Sequence, residues 1–139
     1  MIKPRLKFRE SVPKWIQRIA MRWVNRITPS DWTITFIMEN VAELEKNTGK
    51  GTRAYSLAYP EQLDAAVWIA EGIEQDEETE RIILHEIRHA HYWCLKQVLS
   101  QAWDGRRKMT FAQADKLLDD KIEEMIERDV NVFLRAYRR

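Results

Sequence analysis

The chain has 139 residues, of which 45% are hydrophobic and 32% are charged, and its formal net charge at pH 7 is +1. This length suits one domain with one core, and this composition excludes a wholly disordered chain. The single cysteine, Cys94, excludes an intrachain disulfide and is typical of a protein from a reducing compartment.

The first part of the chain predicts a basic arm followed by a helix. Ser11, followed by Val-Pro, is typical of a helix start, and apolar residues then recur at helical spacing until Pro29. We expect residues 1–31 to form a basic N-terminal arm and one helix ahead of the sheet. The basic side chains of this segment are Lys3, Arg5, Lys7, Arg9, Lys14, Arg18, Arg22 and Arg26.

Three strands are predicted in the middle of the chain. Residues 32–38 are β-branched and aromatic, and residues 52–59 follow a glycine-containing turn at 47–51. A connection at 60–63 leads to the short apolar run 65–70, which reads as the third strand.

Two long helices are predicted after the strands. Asp76 can cap a helix over residues 77–101, whose first turn is rich in acids and so suits the positive end of the helix dipole. A basic loop follows at 104–109. Residues 110–113 match a capping box, with Thr first and Gln three positions later, and predict a last helix from residue 111 to about residue 137.

Together these elements predict an α+β fold. We expect a small, mainly antiparallel three-stranded sheet, with one face covered by an N-terminal helix, a long helix and a C-terminal helix. Residues 1–139 are expected to form a single domain, with the sheet and both long helices in residues 32–139.

All three histidines lie within residues 85–91, and the first five of these residues spell H-E-x-x-H. Positions i and i+4 of a helix share one face, so His85 and His89 can direct two imidazoles at one metal ion. Glu86, about 100° round the helix from His85, can reach a water on that metal without binding the metal itself. The alternative is a surface helix with a chance His/Glu stripe. His91 lies off the shared face and is predicted to be a hydrogen-bonded surface histidine.

The predicted site is open, and its third ligand should come from the last helix. Cys94 falls on the opposite side of the helix from His85, so a closed four-ligand site is not expected. On the last helix, Glu123 lies near the edge of the apolar face, with Glu127 one turn beyond it, and Glu124 is solvated. Asp129 falls inside the apolar face, either as a partner of a ligand histidine or in an ion pair with an arginine.

The order of elements resembles the minimal zincin metallopeptidases of the gluzincin type: strand, acidic cap, H-E-x-x-H helix, loop, and a helix with a carboxylate. Residues 127–133 are similar to the E-x-E-A-N-x-F segment of ImmA/IrrE-like peptidases, and SprT-like proteins share the hydrophobic strand before H-E-x-x-H. The chain lacks the downstream His-Gly segment of SprT-like proteins. Arg88 stands where a small residue is common in the ImmA/IrrE pattern.

This resemblance implies a zinc-dependent endopeptidase that hydrolyses a protein substrate with zinc-activated water. In gluzincins the metal-binding Glu is often followed four residues on by an Asp or Asn that orients a ligand histidine. The resemblance therefore favours Glu127 as the third zinc ligand, with Asn131 as the orienting residue and Glu123 as the alternative ligand. Glu86 would accept the proton of the water and pass it to the leaving amine. The strand at 65–70, if it is a sheet edge, could hold an extended substrate.

A second function is compatible with the sequence: a non-enzymatic module whose His/Glu set is structural or a relic. Its basic N-terminal arm would then contact nucleic acid or an acidic partner. For either function we expect a cytoplasmic protein. The N-terminus has no apolar signal segment, and no apolar run approaches the roughly 20 residues of a membrane span.

Overall fold

The computed structural model describes residues 4–28, 31–59, 62–101 and 110–137, with the side chains of Cys94 and of residues 97–101 outside that description. Some of the predicted features lie wholly or partly outside these residues. They are Lys3 in the basic arm, the helix end at Pro29, the connection at 60–63, the orientation of Cys94 and the basic loop at 104–109.

The described chain forms four helices and one four-stranded sheet, which confirms the α+β class. In chain order the elements are β1 (Arg5–Phe8), α1 (Lys14–Ile27), β2 (Thr33–Glu39), α2 (Val41–Thr48), β3 (Ala54–Tyr59), β4 (Asp64–Ala70), α3 (Glu77–Gln101) and α4 (Phe111–Tyr137). The strand order in the sheet is β1-β2-β4-β3. Strands β1, β2 and β4 run parallel, and β3 is antiparallel to β4.

The prediction of a mainly antiparallel three-stranded sheet is wrong in both strand number and strand direction. The extra strand, β1, comes from the basic arm, where Leu6 and Phe8 pack against the core and alternate with exposed Arg5 and Lys7. Helix α1 then carries the chain back to the start of β2, and such a crossover makes neighbouring strands parallel. Residues 5–8 of the arm are therefore part of the sheet.

The short helix α2 was not predicted. Its start is capped by Asn40, whose Oδ1 accepts a hydrogen bond from the Ala42 amide at 2.9 Å. It ends at Gly49, where φ is 114°, a conformation that glycine adopts without strain. Leu44 is the only buried residue of this helix, so its sequence carries little apolar periodicity.

The signals for the other helix starts were correct in two cases out of three. Asp76 Oδ1 accepts from the Thr79 amide at 2.8 Å, which confirms the predicted cap of α3. The Thr110–Gln113 capping box is confirmed by two reciprocal bonds, at 2.9 and 3.1 Å. The predicted Ser11 cap is wrong, because Pro13 occupies the cap position of α1 and no side chain caps that helix.

Helix α3 lies between the sheet and α4, and this arrangement places its histidines beside α4. Residues on one face of β2 and β4, with Phe36 and Val67 fully buried, share one core with α1 and α3. Helix α4 joins this core through a row of buried residues at a spacing of four: Ile122, Ile126, Val130 and Leu134. None of the helices in the described parts of the chain is both long and apolar enough to cross a membrane.

Candidate metal centre

Two histidines of α3 and one carboxylate of α4 meet at the open side of the helix pair. The imidazole centroids of His85 and His89 are 4.8 Å apart. Glu123 contacts both rings: one carboxylate oxygen lies 3.3 Å from His85 Nε2 and the other lies 2.5 Å from His89 Nε2. The three residues each offer a ligand atom within 4.8 Å of the others. They form a group that could hold a metal ion.

The donor set, two imidazoles and one carboxylate, is one that zinc accepts. Zinc binds imidazole nitrogens and carboxylate oxygens at about 2.0–2.2 Å in tetrahedral geometry, which places ligand atoms about 3.3 Å apart. The His85–Glu123 distance of 3.3 Å already has this value. The His89–Glu123 contact of 2.5 Å is shorter than this value and is a hydrogen-bonding distance. The side chains of His85, His89 and Glu123 are 20%, 27% and 50% exposed, so the group is open to solvent.

Glu127 lies on the other side of the His85 ring. Its Oε1 is 2.8 Å from His85 Nδ1. A carboxylate at Nδ1 fixes the ring orientation and leaves the Nε2 lone pair available for a metal. Arg81 Nη2 in turn donates to Glu127 Oε2 at 3.3 Å and to Asn131 Oδ1 at 2.5 Å. Asn131 therefore contacts the arginine that supports Glu127, where the resemblance implied contact with a histidine.

Glu123 and Glu127, the two candidates for the third ligand, thus contact the histidines at different positions. Glu123, the predicted alternative, belongs to the group with His85 and His89, and Glu127, the predicted ligand, stands beside that group. The pair keeps the four-residue spacing that the resemblance gave for a ligand and its orienting residue, displaced by one helical turn. Metal binding by Glu127, or by Glu123 as the alternative, stays a prediction.

Glu86 is buried between α3 and β3, with 9% of its surface exposed. Ser56 Oγ, on β3, donates a hydrogen bond to Glu86 Oε2 at 2.9 Å. Burial raises the pKa of Glu86, while His89, the Ser56 bond and His85 act in the opposite direction. Glu86 lines a cavity of about 220 Å³ together with His89, and a second cavity of about 530 Å³ together with His85. Its carboxylate therefore borders the space next to both histidines.

Carboxylates outnumber the arginines that pair with them at the site. Three carboxylates, Glu86, Glu123 and Glu127, contact the two histidines or border the cavities beside them, and Arg81 is the one guanidinium that pairs with any of them among the described residues. A divalent cation between the histidines would be attracted by the carboxylates that contact them.

Asp129 lies on the opposite flank of the helix pair. It forms an ion pair with Arg88, which is one of the two predicted alternatives for this residue. Its Oδ2 accepts from Arg88 Nε at 3.2 Å, from Arg88 Nη2 at 2.5 Å and from the Tyr92 hydroxyl at 2.8 Å. His91 is half-buried on this flank, with Nδ1 3.0 Å from Arg88 Nη1 and Nε2 3.2 Å from Thr28 Oγ1. Burial, helped by the nearby Arg88 charge, lowers the pKa of His91 to about 4, so the ring is neutral at neutral pH.

Sequence reasoning missed Ser56 and Arg81. Ser56 is the one polar residue between Ala54 and Ala58 on the strand face that packs on α3, and that contrast was a usable signal. Arg81 precedes His85 by one turn on the same face of α3, so its proximity to the site also followed from helical spacing.

The strand that was expected to bind substrate is not a sheet edge. Residues 65–70 fall in β4, which is hydrogen-bonded to β2 on one side and to β3 on the other. The edge on the site's side of the sheet is β3, which carries Ser56. Among the described strands, the edge strand beside the site is therefore β3.

Comparison of the sequence with models of known protein families gives no match, and comparison with curated proteins gives no match either. The likeness to zincins thus rests on the H-E-x-x-H motif, the 127–133 segment and the order of elements. The geometry of the described residues adds a His85–His89–Glu123 group that could hold a metal ion.

Proposed function

We propose that the protein is a zinc-dependent metalloendopeptidase that acts on protein substrates. The observation that supports this most is that Glu123 lies between His85 and His89, with Glu86 buried beside them. These two histidines and Glu123 would hold the zinc. When bound there, zinc supplies Lewis-acid polarisation of the scissile carbonyl and lowers the pKa of a water towards about 7.

The chain's own residues divide the remaining work. The Glu86 carboxylate accepts a proton from the attacking water and delivers it to the leaving amine. Ser56 holds Glu86 Oε2, which leaves Oε1 for the proton transfer. Glu127, supported by Arg81, holds the His85 ring in the orientation that presents Nε2.

An extended segment of the substrate would pair with β3. This strand is an edge of the sheet, so its outer backbone groups can form hydrogen bonds with a peptide. Its Ser56 touches Glu86, so a peptide along β3 would pass beside the catalytic carboxylate. The cytoplasmic location, and the contact of the basic arm with nucleic acid or an acidic partner, remain predictions.

Cleavage of an unfolded protein such as reduced, alkylated casein tests the proposal. We expect the protein purified with zinc to cleave it, and a strong chelator to abolish cleavage. Glu86→Gln should keep its zinc and lose about a hundredfold or more in rate, because an amide cannot accept the water's proton. The matched control is Glu124→Gln, since Glu124 is exposed and pairs with Lys121. Equal cleavage by Glu86→Gln and Glu124→Gln would refute the proposed mechanism.

A further inference from the structure

The apolar face of α4 that packs on α3 has a simple repeat. The buried residues of α4 repeat every four positions: Ile122, Ile126, Val130 and Leu134. Two of them are followed directly by a glutamate, Glu123 or Glu127. A shift of α4 by four residues, about 6 Å along its axis, would bring apolar residues to the first three of these places, Arg138 to the fourth, and Glu127 to the place of Glu123. Three of the four apolar contacts would thus be kept, so apolar packing is only part of what sets the register.

The flank opposite the metal site carries an ion pair that distinguishes the registers. Asp129 accepts from Arg88 at 2.5 Å and from Tyr92 at 2.8 Å, and we call these three residues the clamp. The Arg88 guanidinium carbon also lies 4.9 Å from the Tyr92 ring centroid and 5.4 Å from that of Phe133. The side chains of Arg88 and Asp129 are only 18% and 26% exposed.

A shifted helix would break this clamp. Phe133 lies four residues after Asp129, so it would take the place of the carboxylate. The Arg88 guanidinium would then be left in a mostly buried position without its counter-charge. Loss of one partner of such a pair is strongly unfavourable, because the remaining charge is not compensated.

We infer that Arg88 and Asp129 are positioning residues: their ion pair fixes the register of α4 on α3 and thereby selects Glu123, not Glu127, as the carboxylate between the two histidines. The metal-binding test of this inference rests on the proposed function, whereas the register itself does not. The inference also gives a role to Arg88, which departs from the ImmA/IrrE pattern.

The test removes the clamp without leaving a buried charge. Arg88→Met combined with Asp129→Leu replaces the pair with apolar side chains, a change that commonly preserves the fold. Glu123→Gln and Glu127→Gln are each introduced into this variant and into the wild type, and zinc affinity is measured by competition with a chelator. In the wild type, Glu123→Gln should weaken zinc binding about tenfold more than Glu127→Gln does. In the clamp variant that difference should fall below about threefold.

The control removes a different ion pair between α3 and α4. Lys96 Nζ lies 2.7 Å from Asp119 Oδ1, and Lys96→Met combined with Asp119→Leu is the matched change. This control should keep the wild-type difference between the two glutamine substitutions. A full difference in the clamp variant, or its loss in the control, would overturn the inference.

Hydrogen exchange of the metal-free proteins tests the register without zinc. A helix that samples two registers separates transiently from α3, so the clamp variant should exchange faster across residues 118–137 than the wild type and the control. If the wild type binds no zinc, the proposed function fails and this measurement alone decides. Equal exchange in all three proteins would then overturn the inference.

Discussion

The two flanks of the α3–α4 seam carry similar side chains but differ in how their carboxylates are paired. On the clamp flank, the single carboxylate Asp129 receives hydrogen bonds from two Arg88 nitrogens and from Tyr92. On the metal-site flank, Glu123 and Glu127 are about half exposed, and Arg81 is the one arginine paired with either in the described part of the chain. On the clamp flank the carboxylate is paired with an arginine, whereas on the site flank His85, His89 and Glu123 form a group that could hold a metal ion.

The largest expected effect is a difference in zinc content between substitutions of histidines on the two flanks. His89→Ala should abolish stoichiometric zinc binding, because His85 and Glu123 alone form a weak site. His91→Asn should keep about one zinc per chain, since His91 bonds to Arg88 and Thr28 on the other flank. Metal analysis of protein purified without a histidine tag measures both. Undiminished zinc in His89→Ala would show that the metal site lies elsewhere.

The next effect should separate the two glutamates of the site flank. Glu123→Gln should weaken zinc affinity by more than about a hundredfold, because a neutral amide oxygen binds zinc poorly. Glu127→Gln should cost about tenfold, as the loss of a residue that orients a ligand histidine usually does. Asn131→Ala should cost less than Glu127→Gln, because Asn131 contacts Arg81. The reverse order for the two glutamates would show that Glu127 is the ligand.

A smaller effect should appear when Glu86 loses its partner on β3. Ser56→Ala removes the 2.9 Å bond to Glu86 Oε2 and should lower the rate of casein cleavage about tenfold. Zinc content should stay unchanged, since Ser56 does not belong to the His85–His89–Glu123 group. Initial rates and metal analysis of the same preparation test this pair of outcomes, and a loss of zinc would assign Ser56 to metal binding.

The smallest effect is expected at the opposite edge of the sheet. Arg5 and Lys7 are exposed on β1, and strands β2 and β4 separate β1 from β3. Replacement of both by Gln should therefore leave zinc content and casein cleavage unchanged. A sharp fall in cleavage with intact zinc would place the basic strand in substrate binding.

The parts of the fold that follow from local sequence were predicted well. Helices α3 and α4 have the predicted bounds because each combines a long apolar periodicity with a cap, Asp76 in one case and the Thr110 capping box in the other. Strand β1 was missed because four residues among basic neighbours carry little pattern. The parallel direction of the strands depends on the path of α1, which no local signal specifies.

The candidate site also has parts that follow from local sequence and parts that depend on tertiary packing. The His85–Glu86–His89 arrangement is local to one helix, so the spacing alone places the histidines together. The choice between Glu123 and Glu127 depends on the axial position of α4 along α3. The four-residue repeat of apolar residues in α4 does not specify that position. Ser56 lies thirty residues from Glu86 in sequence, and only the packing of β3 on α3 brings them together.

Diffraction at the zinc absorption edge from crystals of the tag-free protein tests the central claim most directly. We predict one anomalous peak about 2.0–2.2 Å from His85 Nε2, His89 Nε2 and an oxygen of Glu123, with Glu127 still at His85 Nδ1. No peak between these histidines in crystals grown with equimolar zinc, or a peak bound by Glu127 in place of Glu123, would contradict the account.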